Sequence, residues 1–262
     1  MAAEVYLNSL GSGSDGNSFF IDTPAGALLI DQGFSRKELL ARMEQSQCDP
    51  RRICGALLTH SHSDHCIGAR VFCDTLNIPL YATMPTVNHL AKRKNLPKAV
   101  RTFEAGAAFE ISGIGVKTFP LPHDVDTVGF KISCAGVDIG FATDLGCAGE
   151  NIRRELANCH ALVLESNYDR QMLMNSSRSL DLKRRICGFR GHLDNTYTAE
   201  LLPELLGERT ALLLLAHVSR ECNDPAMIRQ ICAETLQKIS RSDLHFEVLQ
   251  QHAPSEKFRV GC

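Results

Sequence analysis

Residues 53–65, ICGALLTHSHSDH, pass from an apolar β-type run straight into three imidazoles and a carboxylate within six residues. A core or an ordinary surface has no use for so dense a set of ligand-type groups on a strand-to-helix loop. In an extended loop, side chains two apart point the same way, so His60 and His62 share one cation position. Asp64 and His65, at the start of the following helix, face a neighbouring one. The spacing predicts two cations rather than one, held at the end of a strand and completed by ligands from elsewhere. Suitable groups stand at other strand ends: His123 in TFPLPHD, Asp144 in IGFATDLG and His217 in LLLLAHVS.

The rest of the chain reads as strands and helices in layers. The N-terminal third has the short apolar runs EVYLNSL, NSFFIDT, GALLIDQG and ICGALLTH, bounded by Gly, Asp and Pro. Between them SRKELLARMEQ has a Ser cap and helical spacing. A helix is expected from Ser63 through ARVFCDTLN, then a strand PLYAT and a helix PTVNHLAKRK with Pro85 in its first turn. The middle is strand-rich, with AAFEI, IGVKTFPL, VGFKISC and VDIGFATD and a turn at Ala135–Gly136. Helices and strands then alternate to the end. With 44% hydrophobic residues, no repeat and no linker, residues 1–262 are expected to form a single α/β domain.

Composition excludes several classes. MAAEVYLNSL lacks the basic start and apolar run of a secretory signal, and the longest apolar run, TALLLLAHV, is far short of a membrane span. Eleven cysteines are scattered without a C-x-x-C pair, which fits reduced thiols in a cytoplasm. A net charge of −2 gives no global pull toward nucleic acid. Two basic clusters, Lys92 to Arg101 and Arg178 to Arg190, read on their own as solvated helix faces. GSGSDGNS carries the G-x-G-x-x-G spacing of a nucleotide loop at Gly11, Gly13 and Gly16, but it lies between two strands. The helix N-terminus that would cradle a phosphate is missing, so a hairpin bend is expected there.

The run HSHSDH resembles the H-x-H-x-D-H signature of the metallo-β-lactamase fold, and its companions follow in order across most of the chain. Asp31 in LLIDQG resembles the supporting aspartate of that family; His123, Asp144 and His217 resemble its third, fourth and fifth motifs. The resemblance implies an αββα four-layer sandwich in which His60, His62 and His123 bind one metal, Asp64, His65 and His217 a second, and Asp144 bridges them. GSGSDGNS, PHDVDTVGF, ATDLG, LESNYDRQML, GHLDNTYTAELL and LAHVSRECN are further similar to the YycJ/WalJ branch of bacterial proteins. That branch is linked to phosphodiester hydrolysis, notably exonuclease action on DNA, and neighbours ribonuclease Z and phosphoribosyl cyclic phosphodiesterases. Three departures bear on substrate preference: Cys222 stands where SRENN is expected, Asp194 where GHLSN is expected, and MNSSRSLDLKRR lacks a Tyr-Pro before its basic residues.

The implied chemistry is a binuclear phosphodiester hydrolase, with two zinc or manganese ions lowering the pKa of a shared water and polarising a phosphoryl oxygen. Asp64 takes a second role as base. His192 in GHLDN resembles the histidine that ribonuclease Z and its relatives use beside the metals, and is the candidate acid for the leaving oxygen. The basic strip from Arg178 to Arg190 would hold a phosphate backbone, and Asn195, Ser219 and Arg220 are candidates for orienting a phosphate. His89, His160, His245 and His252 have no convergent partners in sequence and read as structural or solvated. DNA is expected before RNA as substrate. The alternatives are a small cyclic phosphodiester, a thioester handled by the same fold, and a binding module whose metals only staple the chain.

Overall fold

Strands buried on both faces are apolar throughout, and the two faces of this chain's strands sort its residues into three packed layers of side chains. A computed structural model of the chain describes residues 4–261. In β1 (Val5–Gly11), β2 (Ser18–Thr23) and β3 (Gly26–Ile30), Leu7, Phe19, Ile21, Leu28 and Ile30 point into one core, while Leu10, Phe20 and Leu29 point into another. The first sheet continues with β4 (Ile53–Leu57), β5 (Leu80–Thr83) and β6 (Val100–Phe103), and β14 (Phe258–Val260) closes its other edge, in the order β14-β1-β2-β3-β4-β5-β6. The second sheet holds β7 (Ala108–Ile111), β8 (Ile114–Leu121), β9 (Thr127–Cys134), β10 (Val137–Ala142), β11 (Ala161–Glu165), β12 (Leu212–Ala216) and β13 (His245–Val248), in the order β13-β12-β11-β10-β9-β8-β7. Each sheet is antiparallel on one side and parallel on the other, with β3 to β6 and β10 to β13 forming the parallel halves.

The sheets face each other across a shared core that includes Phe19, Phe130, Phe141, Val163 and Leu214. Helices cover the outer faces. On the first sheet these are α1 (Arg36–Gln45), α3 (Ala69–Leu76) and α4 (Met84–Lys92), packed through Leu39, Phe72 and Leu90. On the second they are α5 (Glu150–Leu156), α8 (Asn195–Leu205) and α9 (Pro225–Lys238), packed through Leu156, Leu202 and Cys232. The order helix, sheet, sheet, helix is the four-layer sandwich. Ser35 caps α1 as expected, its hydroxyl accepting from the Glu38 amide at 3.2 Å. Ala135 and Gly136 both take positive φ and join β9 to β10 as a two-residue hairpin.

One local expectation changes, and four short elements were not anticipated. The helix expected from Ser63 onward is two helices, α2 (Ser63–Cys66) and α3, because the Gly68 amide donates to the Gln32 carbonyl at 2.9 Å and the chain steps sideways there. Short β6 and β14 at the sheet edges, and the helices α6 (Arg170–Asn175) and α7 (Leu180–Ile186), carry too little periodicity to be read in advance. Among the described residues every cysteine is free, and no helix is long and apolar enough to cross a membrane.

Candidate metal centre

Ligand-type residues gather where strands end. β3 runs into Asp31, β4 into His60, β8 into His123, β10 into Asp144 and β12 into His217, while β11 ends on Glu165. Asp31, Asp144 and His217 sit in the left-handed backbone region at φ 60°, 63° and 54°. Such conformations cost about 1 kcal/mol each for a non-glycine residue and concentrate where a site demands them. Backbone bonds hold the strand-end loops together: the Asn17 amide donates to the Asp64 carbonyl at 2.8 Å, and the Gln32 amide to the His65 carbonyl at 2.7 Å. A Cβ at Gly33 would overlap the Asp64 carbonyl, so only glycine lets the β3 loop pass this close to the histidine loop.

Hydrogen bonds orient one imidazole after another. His65 Nδ1 donates to Asp31 at 2.7 Å, His123 Nδ1 to the Gly191 carbonyl at 3.0 Å, and His60 Nδ1 pairs with the Thr59 hydroxyl at 2.9 Å. His192 and His217 both donate from Nδ1 to the same oxygen of Glu165, at 2.8 and 2.7 Å. These partners place a proton on Nδ1 of each ring, and Nε2 is a lone pair wherever the ring is neutral. His60 Nε2, His123 Nε2, His217 Nε2 and Asp144 Oδ2 are buried without a hydrogen-bond partner. Buried polar atoms are normally paired, and a group of orphaned nitrogen and carboxylate atoms in one place suits a divalent cation.

Those atoms fall into two overlapping sets. Ligand atoms of His60, His62 and His123 lie within 4.8 Å of one another, and so do those of Asp64, His65 and His217. Asp144 lies between them: its Oδ2 is 3.3 Å from His65 Nε2, and its ligand oxygen lies within 4.8 Å of the ligand atoms of His60 and His65. The seven residues singled out as ligands from the sequence therefore come together. The two sets differ in electrostatics. Burial, and then the neighbouring histidines, push His60 well below its ordinary pKa, and burial lowers His62 and His123 as well. Burial also opposes charge on His217, but Asp144, Asp64 and Glu165 outweigh it and raise the ring to about 10. His65 is raised in the same way, by Asp144, Asp31 and Asp64 against burial. Burial would raise Asp64, yet His65 and His217 hold it far below the usual carboxylate range. One set is neutral imidazole and the other is carboxylate-rich.

The centre lies in a cleft of about 810 Å³. His62, Asp64, Asp144, His192 and His217 reach it, and Arg70, Arg93 and Lys94 line it together with Arg178 and Arg185. Members of both basic clusters thus border the site rather than only decorating helix faces. His89, read as structural or solvated, also lines this cleft. Ser219 reaches it too, although its hydroxyl already accepts from the Cys222 amide at 3.1 Å.

Asn195 is a correction. Its carboxamide is buried, bonded to Ser166 at 2.8 Å and to Asn223 at 2.8 and 3.0 Å, and it does not line the cleft. Arg220 is exposed and pairs with Asp15 at 3.2 Å. Asp194 caps α8 by accepting from the Tyr197 amide at 2.8 Å, a task serine does equally well. Cys222 packs with Tyr168, Leu173 and Ile186 in a small apolar cluster. The glycine-rich octapeptide is the expected bend, but it also supports the centre: Ser12 accepts from the His217 amide at 2.8 Å, and Asn17 Nδ2 lies 3.1 Å from His65 Nε2.

Sequence reading passed over Glu165. It is fully buried and receives His192, His217 and the amides of Leu145 and Leu193, at 3.2 and 3.0 Å. Its available signal was an apolar strand run ending in a carboxylate, ALVLE, the pattern shared with Asp31 and Asp144.

Comparison with known proteins agrees with this geometry. The beta-lactamase superfamily domain matches residues 27–217. The chain is 30% identical over 241 residues to exodeoxyribonuclease WalJ of Streptococcus pneumoniae, covering 90% of this chain and 88% of that one. It is 28% identical over 239 residues to exodeoxyribonuclease YycJ of Bacillus anthracis, covering 89% and 90%. The metallo-beta-lactamase fold protein YhfI of Bacillus subtilis superposes with a TM-score of 0.73 at 13% identity, over 98% of this chain and 99% of that one. Fold, strand-end ligands and sequence place the chain in the beta-lactamase superfamily, on the branch that holds WalJ and YycJ.

Proposed function

We propose that the protein hydrolyses phosphodiesters in nucleic acid, DNA before RNA, using two divalent cations, zinc or manganese. The observation that carries this reading is the pairing of two ligand sets, joined by Asp144, with a cleft bordered by arginine and lysine. His60, His62 and His123 would hold one cation, Asp64, His65 and His217 the other, with Asp144 shared. When bound, such a pair supplies Lewis acidity toward a phosphoryl oxygen and makes water a stronger nucleophile.

The chain's own residues then bind, orient and move protons. Arg93, Lys94, Arg178 and Arg185 hold phosphate oxygens by charge-assisted bonds. His192 is the residue for the leaving oxygen. Its Nδ1 proton is fixed on Glu165, its ring is 20% exposed in the cleft, and its Nε2 is the nitrogen left to hand over a proton. Glu165 steadies the imidazolium that this role requires. Asp64 keeps one oxygen 3.4 and 3.5 Å from His65 and His217, and the base role assigned to it falls to the carboxylate edge that remains. The names of WalJ and YycJ support a nuclease over the small-phosphodiester alternative.

The test is degradation of 5′-labelled single- and double-stranded DNA and RNA with zinc or manganese, with bis-p-nitrophenyl phosphate and a thioester as small substrates. Cleavage of DNA that is lost in His62→Ala and His192→Ala supports the proposal. Turnover of only the small diester, or of the thioester, overturns it.

A further inference from the structure

Asp124 follows His123 in the connection from β8 to β9, and none of the roles above uses it. Its Oδ1 lies 3.2 Å from His62 Nε2 and 3.2 Å from His123 Nε2, and its Oδ2 lies 3.8 Å from Arg185 Nη1. The side chain is 28% exposed, so a carboxylate free to reach water lies instead against two imidazole nitrogens. His123 cannot donate to it: that ring gives its Nδ1 proton to Gly191, and its buried Nε2 has no hydrogen-bond partner. A lone pair and a carboxylate oxygen this close repel one another unless positive charge lies against both. Two atoms bound to one cation at about 2.0–2.1 Å, at about 90–109° to each other, would sit about 2.9–3.4 Å apart, and the two Asp124 contacts fall within that range.

Resting on the two-cation reading above, we propose that Asp124 is a further oxygen ligand at the three-histidine position and, through its second oxygen, the anchor of Arg185. One carboxylate then sets both how tightly that cation is held and where a phosphate-binding arginine stands on the cleft wall. The chemical class it serves is a divalent cation on one side and a phosphodiester on the other.

The experiment is a cation titration of the full chain by competition with a chromogenic chelator, using zinc and manganese alone. It is run on wild type, Asp124→Ala, Asp124→Asn and Arg185→Ala, with circular dichroism confirming the fold of each. In Asp124→Ala one of two cations weakens by about 10- to 100-fold while the other is unchanged. Asp124→Asn, which keeps an oxygen donor, falls between Ala and wild type. Arg185→Ala leaves both affinities intact and raises KM for the diester without an equal fall in kcat. A folded Asp124→Ala that binds both cations as wild type does overturns the assignment. Wild type that binds two cations yet cleaves no phosphodiester sinks the nuclease reading instead, and the ligand assignment is still decided by the titration.

Discussion

Replacing Asp31 by asparagine tests whether the centre depends on proton placement rather than on charge alone. Asp31 is fully buried, with the Thr59 amide at 2.8 Å, the Thr59 hydroxyl at 2.9 and 3.0 Å, and His65 Nδ1 at 2.7 Å. Asparagine suits the left-handed backbone and keeps an oxygen for the Thr59 amide. Its Nδ2 then faces His65 Nδ1 and donates, so the ring gives up its Nδ1 proton and carries one only on Nε2, the nitrogen that faces Asp64 and Asp144 at 3.4 and 3.3 Å. Losing one charge-assisted bond costs about 1.5–3 kcal/mol. For a chain of this size that corresponds to a fall of about 3–12 °C in Tm, measured in chelator so that cation binding does not mask it. Cation affinity at the carboxylate-rich position falls about 10- to 100-fold. Alanine should be worse, at about 4–6 kcal/mol, because it breaks a buried ion pair and adds backbone strain at φ 60°. Nitrogen-15 shifts of His65 report the tautomer directly. An Asp31→Asn protein with the proton still on Nδ1 and both affinities unchanged would refute the reasoning.

Three further outcomes are expected. With His217 raised to about 10, the cation-free protein holds a proton there at neutral pH, so affinity at that position should climb about tenfold per pH unit for each proton displaced. The same raised value stabilises the cation-free fold fully below about pH 6.5 and loses that contribution as pH rises toward 10; a Tm in chelator that is flat or increasing over this span is the contrary result. Glu165→Gln removes the charge shared by His192 and His217 and should lower kcat about 100-fold with a smaller change in KM, so an unaltered kcat in steady-state assays counts against the proton role of His192. Burial pushes Cys48, Cys73 and Cys232 up to about 12, whereas Cys187 is exposed. Iodoacetamide at pH 8 should therefore label Cys187 and spare those three, as read by peptide mass spectrometry.

Much of the candidate site was open to sequence reasoning because its ligand-type residues interrupt strong patterns. His60, Asp144 and His217 each follow a run of buried apolar residues, where a polar group stands out. Glu165 stands in the same position on β11, but a lone carboxylate beside Ser166 and Asn167 lacks the density that marks HSHSDH. Asn195 shows the opposite error. Being polar and two residues beyond Leu193, it looks like a surface contact, yet only the folded chain places Ser166 and Asn223 against it. Arg93 and Arg178 are 85 residues apart in sequence, and no local pattern could announce that they border the same cleft. The contact between Asp124 and His62 was equally hidden, since the two residues are 62 positions apart in the chain.

The two proposed ligand sets each draw on both halves of the sandwich. His60 and His62 leave the first sheet while His123 leaves the second, and Asp64 and His65 meet His217 in the same manner. A cation held as proposed would be gripped on both sides and would work as a clasp, opposing any splaying of the halves. Loading the centre should thus damp breathing along the seam between them, and the architecture that assembles the chemistry is itself tightened by carrying it.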